Sequence, residues 1–182
     1  GLFKFAYKDK TKISPMKAIK NNARLSNITP GSSAIKFGMY TSTSSTSGQS
    51  FQTYGTFTFP SSYTDASGKT VTIDYTGDAS TVVSQLNAYL DQNSVKVNSD
   101  GKLLHFGLTD EGKLQMQDVK KDAQGNITET STDGGYSIQA SDSVLKALGI
   151  NTDTLKTANA DYTTQGATMG QLNSAVDTKL SA

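Results

Sequence analysis

A chain of 182 residues with 17 basic and 16 acidic side chains carries a formal charge of +1, so its electrostatics single out no nucleic acid, anionic membrane or strongly acidic substrate. The absence of cysteine excludes disulfides, thiol nucleophiles and thiolate metal sites, and the single histidine, His105, excludes a histidine-rich zinc centre and leaves any triad one possible base. No apolar window approaches the roughly 18 residues of a membrane span or supplies a signal peptide at Gly1–Phe5, so the chain reads as soluble, with enough length for one ordinary domain or two small ones.

Taken in chain order, Ser14-Pro15 fits an N-cap followed by proline at the first helical position, with Met16, Ile19 and Ala23 on one face of a short helix through Leu25. Ile28-Thr29-Pro30-Gly31 has the chemistry of a turn, and Ala34 to Tyr40 supplies a first strand. Serine and threonine make up about a quarter of the chain and are densest at Thr41–Ser50, TSTSSTSGQS. Small hydroxylated side chains there bury too little apolar surface to offset backbone ordering, so an exposed loop is expected.

From Phe51 to Phe59, aromatics at 51, 57 and 59 alternate with small polar residues, the period of a half-buried strand. Tyr54 falls out of phase beside Gly55, which marks a bulge or tight bend. Asp65–Lys69 reads as a turn leading to a second strand with Val71, Ile73 and Tyr75 on one face, giving a hairpin. Thr81–Leu90 is the best helix: Val82, Val83, Leu86, Tyr89 and Leu90 form one stripe behind the candidate caps Asp78 and Ser80.

Val95 and Val97 precede Asp100-Gly101, a strong hairpin signal. Leu104, Phe106 and Leu108, then Leu114 and Met116 after Glu111-Gly112-Lys113, continue a meander in which Asp-Gly-Lys-Leu at 100–103 is echoed by Glu-Gly-Lys-Leu at 111–114. Turns at Asp122–Asn126 and Asp133-Gly134-Gly135 set off strands near Ile127 and at Tyr136–Ile138. Asp142–Gly149 reads as a short helix with an acidic cap and a C-terminal glycine, from which Ile150 folds back. A final stripe of Met169, Leu172, Val176 and Leu180 requires a partner, on this domain or in a longer helix outside the chain. The expected class is α+β: mostly antiparallel strands and hairpins, one amphipathic helix packed on the sheet, and short helices near the ends. The chain divides into an N-terminal segment with the Ser/Thr-rich loop (1–50), an α+β core (51–150), and a linker with an amphipathic helix (151–182).

Chemistry-bearing patterns are sparse. His105 sits in the apolar run Leu-Leu-His-Phe-Gly-Leu, where a scaffold role is the simpler reading, and no Gly-x-Ser-x-Gly elbow or Ser-x-x-Lys set accompanies it. Most acids flank turn glycines: Asp65, Asp100, Glu111, Asp122 and Asp133. Asp122–Asn126 resembles the start of a calcium loop without its alternating ligands or its terminal glutamate, and no phosphate-cradling glycine loop is present. Lys4, Lys8, Lys10, Lys12, Lys17, Lys20 and Arg24 form the densest basic cluster, which a solvated edge accounts for. Asn27-Ile28-Thr29 and Asn126-Ile127-Thr128 are N-glycosylation acceptors. The pattern describes a scaffold and not an enzyme, with no catalytic, cofactor or metal residues assigned.

The stretch Val71–Leu103 resembles the recurring motif in the outer domains of bacterial flagellar axial proteins: a strand, a helix containing a Leu/Ile-Asn pair (here Leu86-Asn87), a short valine strand (Val95–Val97) and an Asp-Gly-Lys-Leu turn. Asp142–Ile150 is similar to the short helix with a Leu-Gly-hydrophobic ending that often follows. The resemblance implies a secreted, extracellular structural domain of a flagellin or a hook-associated or cap protein, serving motility. It implies self-assembly with other axial subunits through flanking helices that this sequence does not contain. Leu104–Gly112 adds a hairpin-like stretch to that pattern, and the first 60 residues show none of it. The alternative reading is an adhesin-like module contacting host glycan or protein through exposed Tyr40, Tyr54 or Tyr63.

Overall fold

A computed structural model of the chain describes residues 23–42 and 49–181. The expected helix start at Ser14-Pro15, the Lys4–Lys20 cluster and the centre of the Ser/Thr-rich loop lie outside the described residues.

The fold is α+β with mostly antiparallel strands. Four strands form the sheet β10-β9-β2-β3, where β2 is Ala34–Ser42, β3 Gln49–Thr58, β9 Ser137–Gln139 and β10 Ala167–Thr168. A three-stranded meander follows the order β6-β7-β8: Leu103–Leu108, Leu114–Lys121 and Ile127–Ser131. A small hairpin joins β4 (Ser62–Thr64) to β5 (Thr70–Thr72), and β1 (Ala23–Arg24) pairs in parallel with β11 (Leu180–Ser181). The four-stranded sheet therefore takes strands from all three intervals of the sequence.

Helix α1, Ala79–Gln92, starts where Asp78 accepts a hydrogen bond from the Thr81 amide, satisfying one of the free N–H groups of the first turn. Ser80 lies inside that turn and donates to the same carboxylate. Val82, Val83, Leu86 and Leu90 are buried, as the stripe requires, and Tyr89 packs at the margin with its ring 6.3 Å from that of Phe57. Phe57, Phe59, Phe106 and Tyr75 continue this aromatic cluster through tilted and edge-on contacts, the arrangements favoured by ring quadrupoles. One apolar core runs from Leu25 to Leu180.

The bulge expected at Tyr54-Gly55 is present. Phe37 pairs with Gly55 and Gly38 with Thr53, so Tyr54 is the extra residue on β3. Its cause is a close approach, since a Cβ on Gly55 would overlap the carbonyl oxygen of Lys96.

Several expectations are corrected. The Phe51–Phe59 strand pairs with β2, and the turn at Asp65–Lys69 closes a separate hairpin in which β5 ends at Thr72. Ile73 and Tyr75 are buried beyond that strand, with the Tyr75 hydroxyl donating to the Pro60 carbonyl at 2.6 Å. Val95–Val97 forms one bridge, Lys96 to Leu103, and no full strand; farther along β6 the Asn87 side chain takes the Phe106 backbone groups instead. Ala23–Arg24 is strand and Leu25–Asn27 a 3-10 turn, so the first helix does not extend through Leu25. Helix α2, Asp142–Ala147, is capped by Ser141 with Asp142 in its first turn, and Gly149, at φ 91°, lets the Ile150 amide return to the Leu145 carbonyl. Short helices α3 (Thr152–Ala158) and α4 (Tyr162–Gln165) follow.

The last apolar stripe docks on this domain, although its periodicity does not make one helix. Met169 and Leu172 belong to α5 (Met169–Ser174), Val176 bridges to Ile150, and Leu180 lies in β11. All four are buried, so spacing recorded burial and not helical continuity.

Candidate functional site

A cluster of titratable groups lines a surface depression where α1 crosses the meander. Ser84, Asn87 and Asp91 of α1, His105 and Phe106 of β6, and Lys121 of β7 line a wide, shallow groove with a cavity volume of about 700 Å³. The helix stripe forces this placement, because packing Leu86 and Leu90 inward turns Asn87 and Asp91 toward the strand. Asp91 accepts a hydrogen bond from Lys121 at 2.8 Å and lies 3.7 Å from His105 Nε2. The imidazole is largely buried, and that desolvation holds it below its ordinary range; Lys121 adds to the shift, while Asp91 and Gln117 oppose it.

Chemically, this is an imidazole next to a carboxylate already shared with an ammonium. At 3.7 Å the His105–Asp91 separation exceeds hydrogen-bond length, and among the described residues no hydroxyl hydrogen-bonds to His105. The Asp91–Lys121 pair ties the end of α1 to β7. Asp100 and Asp110, the acids nearest His105 in sequence, do not line the groove.

Asn87 has a second task. Its Oδ1 accepts from the Phe106 amide at 2.9 Å and its Nδ2 donates to the Phe106 carbonyl at 2.8 Å, so a helix side chain occupies the place of a neighbouring strand. Asn173 of α5 does the same for Met116 at 2.9 Å each way, and reaches the Thr132 carbonyl at 2.8 Å.

Of the acids beside turn glycines, Asp65 and Asp122 hold their turns through the carboxylate, whereas Asn98 and Thr109 do that work in the turns that contain Asp100 and Glu111. Asp65–Lys69, Asn98–Lys102, Thr109–Lys113 and Asp122–Asn126 share one design: the first side chain accepts the amide of the fifth residue, and the fourth residue is glycine at φ 82° to 86°. The echo of Asp-Gly-Lys-Leu and Glu-Gly-Lys-Leu is two copies of this turn. In Asp122–Asn126 the carboxylate that suggested a calcium loop holds the amides of Gln124 and Asn126, both at 2.9 Å. Among the described residues no group of three or more His, Asp or Glu is placed to hold a metal ion, and no helix is long and apolar enough to cross a membrane.

Asp118 was not singled out by sequence, yet it is the buried charged residue of the core, 1% exposed. The Tyr136 hydroxyl donates to its Oδ2 at 2.7 Å, and Lys102 Nζ lies 3.6 Å from its Oδ1. Burial and this carboxylate together push the Tyr136 phenol far above its ordinary range. The signal was present in the alternation of β7, because Leu114, Met116 and Asp118 share a face and an acid on an apolar face is buried with partners.

The tyrosines expected as exposed contacts are half-buried. Tyr63 packs against the core, and the Tyr40 hydroxyl is enclosed with no hydrogen-bond partner among the described residues. No family model, curated protein or solved structure matches the chain.

Proposed function

We propose that the chain is a surface-exposed structural domain of a bacterial flagellar axial protein, a flagellin or a hook-associated or cap protein. One observation carries the reading: the segment with the motif's ordered pieces packs as one unit, with Leu86 buried and its neighbour Asn87 bonded to β6 beyond the Asp-Gly-Lys-Leu turn. In this role the residues act by packing and display. Val83, Leu86 and Leu90 hold α1 over the meander, and β2 pairs with β3 along its whole length up to Ser42 and Gln49. Assembly would fall to flanking helices of the whole protein.

The test joins the chain to its native flanks and asks where the product goes. Antibody against this domain should decorate purified filaments, hook junctions or caps in electron micrographs. A full-length protein that stays monomeric and is absent from all three would overturn the reading. Capture of a host glycan by such a protein, lost when Tyr40 and Tyr54 become alanine, would favour the binding module instead.

A further inference from the structure

Three side chains meet across the meander: Lys102 immediately before β6, Asp118 in β7 and Glu129 in β8. Asp118 is sealed on several sides. Its side chain is 2% exposed, the Tyr136 hydroxyl donates to Oδ2, and a Cβ on Gly134 would stand 2.7 Å from that oxygen, so backbone fills the space beside the carboxyl. Among the described residues its other oxygen, Oδ1, has no hydrogen-bond partner. The Lys102 ammonium faces Oδ1 at 3.6 Å and the Glu129 carboxylate at 3.9 Å, with Lys102 mostly covered and Glu129 open to solvent.

We propose that Lys102 and Asp118 condense into an intramolecular amide, a covalent staple between the residue immediately before β6 and the middle of β7. Glu129 removes a proton from the ammonium, and the freed Nζ attacks Cγ of Asp118 while the Tyr136 hydroxyl polarises the carboxyl. A C–N bond forms and a C–O bond breaks. Two protons leave Nζ, carried by Glu129, and both end on the departing oxygen, so ammonium and carboxylate become amide and one water without any co-reactant. Two features favour the step. The fold holds amine and carboxyl side by side, which replaces a bimolecular encounter with a positioned one. Condensation also removes two charges from a site where burial makes them costly.

Intact-mass spectrometry of the folded protein tests the idea. The expected mass is that of the sequence less one water, and proteolysis should release a branched peptide joining Lys102 to Asp118. Dehydration at Asp100-Gly101 or Asp133-Gly134 to a succinimide would give the same deficit, so two controls separate the chemistries. A succinimide is cleaved by hydroxylamine and persists in Lys102→Arg; the amide resists hydroxylamine and is absent from Lys102→Arg and Asp118→Ala. A folded wild-type protein that keeps its full sequence mass after prolonged incubation, or a deficit that survives in Lys102→Arg, overturns the proposal.

Discussion

Asn87 and Asn173 grip the opposite members of a single cross-strand pair. Phe106 and Met116 face each other in the β6–β7 ladder, and each gives its amide and carbonyl to the asparagine on its own outer side. In an antiparallel ladder such residues form the pair that exchanges no hydrogen bonds, so their backbone groups point outward and need other partners. Two helices thereby become lateral neighbours of the sheet. Asn87→Ala orphans a buried amide and a buried carbonyl, each worth roughly 1–3 kcal/mol, and Asn173→Ala orphans a comparable set. Urea unfolding should show losses of that order for each variant. The double variant should deviate from additivity, because both act on one pair.

Gly55 is predicted to be irreplaceable for reasons of space. Alanine there meets the Lys96 backbone, whereas a Cβ on Gly135 meets nothing within 4 Å. Gly55→Ala should lose about 1–3 kcal/mol, the range typical of overpacking. Gly135→Ala should stay within about 0.5 kcal/mol of wild type in the same denaturation series.

The groove histidine gives a prediction in pH. Burial depresses His105 below its unfolded value, so folding favours the neutral ring. Its contribution to stability is full above a pH of about 6.5 and falls as pH drops from there toward the folded pKa. NMR titration should place the imidazole below about 6.5. Asp91→Asn should lower it further by removing the opposing charge, and Lys121→Gln should raise it.

A second pH effect belongs to the turns. Hydrogen bonds from Ser67 and the Lys69 amide depress Asp65, and the Asn126 amide depresses Asp122. Carboxylates with lowered folded values stabilise above their unfolded value near 4, and that contribution is lost as pH falls through the folded pKa. The acid limb of a stability curve should therefore steepen below about pH 4 and flatten in Asp65→Asn/Asp122→Asn, where an amide oxygen retains the acceptor without the charge.

Local chemistry was legible in the sequence wherever one residue determined the outcome. Asp78 with the Val82–Leu90 stripe gave α1, Gly55 beside an out-of-phase Tyr54 gave the bulge, and the glycine-centred turns fell where expected. Pairing was less legible, because alternation in β3 says which residues are buried but not that the partner is β2 and not β5. The end of the chain misled for a related reason: a spacing of three and four records a buried row whether the backbone is helix, bridge or strand. At the groove, His105 could be flagged from composition, but Asp91 and Lys121 come from other elements, and the packing of α1 brings the first and the pairing of β7 with β6 the second.

The parallel pairing of Ala23–Arg24 with Leu180–Ser181 has a mechanical consequence. Ala23 stands at one end of this ribbon and Ser181 at the other. A pull applied between those two residues would act along the strands, straining their slanted hydrogen bonds together instead of peeling them in turn. Such a pair would meet traction as a lap joint does.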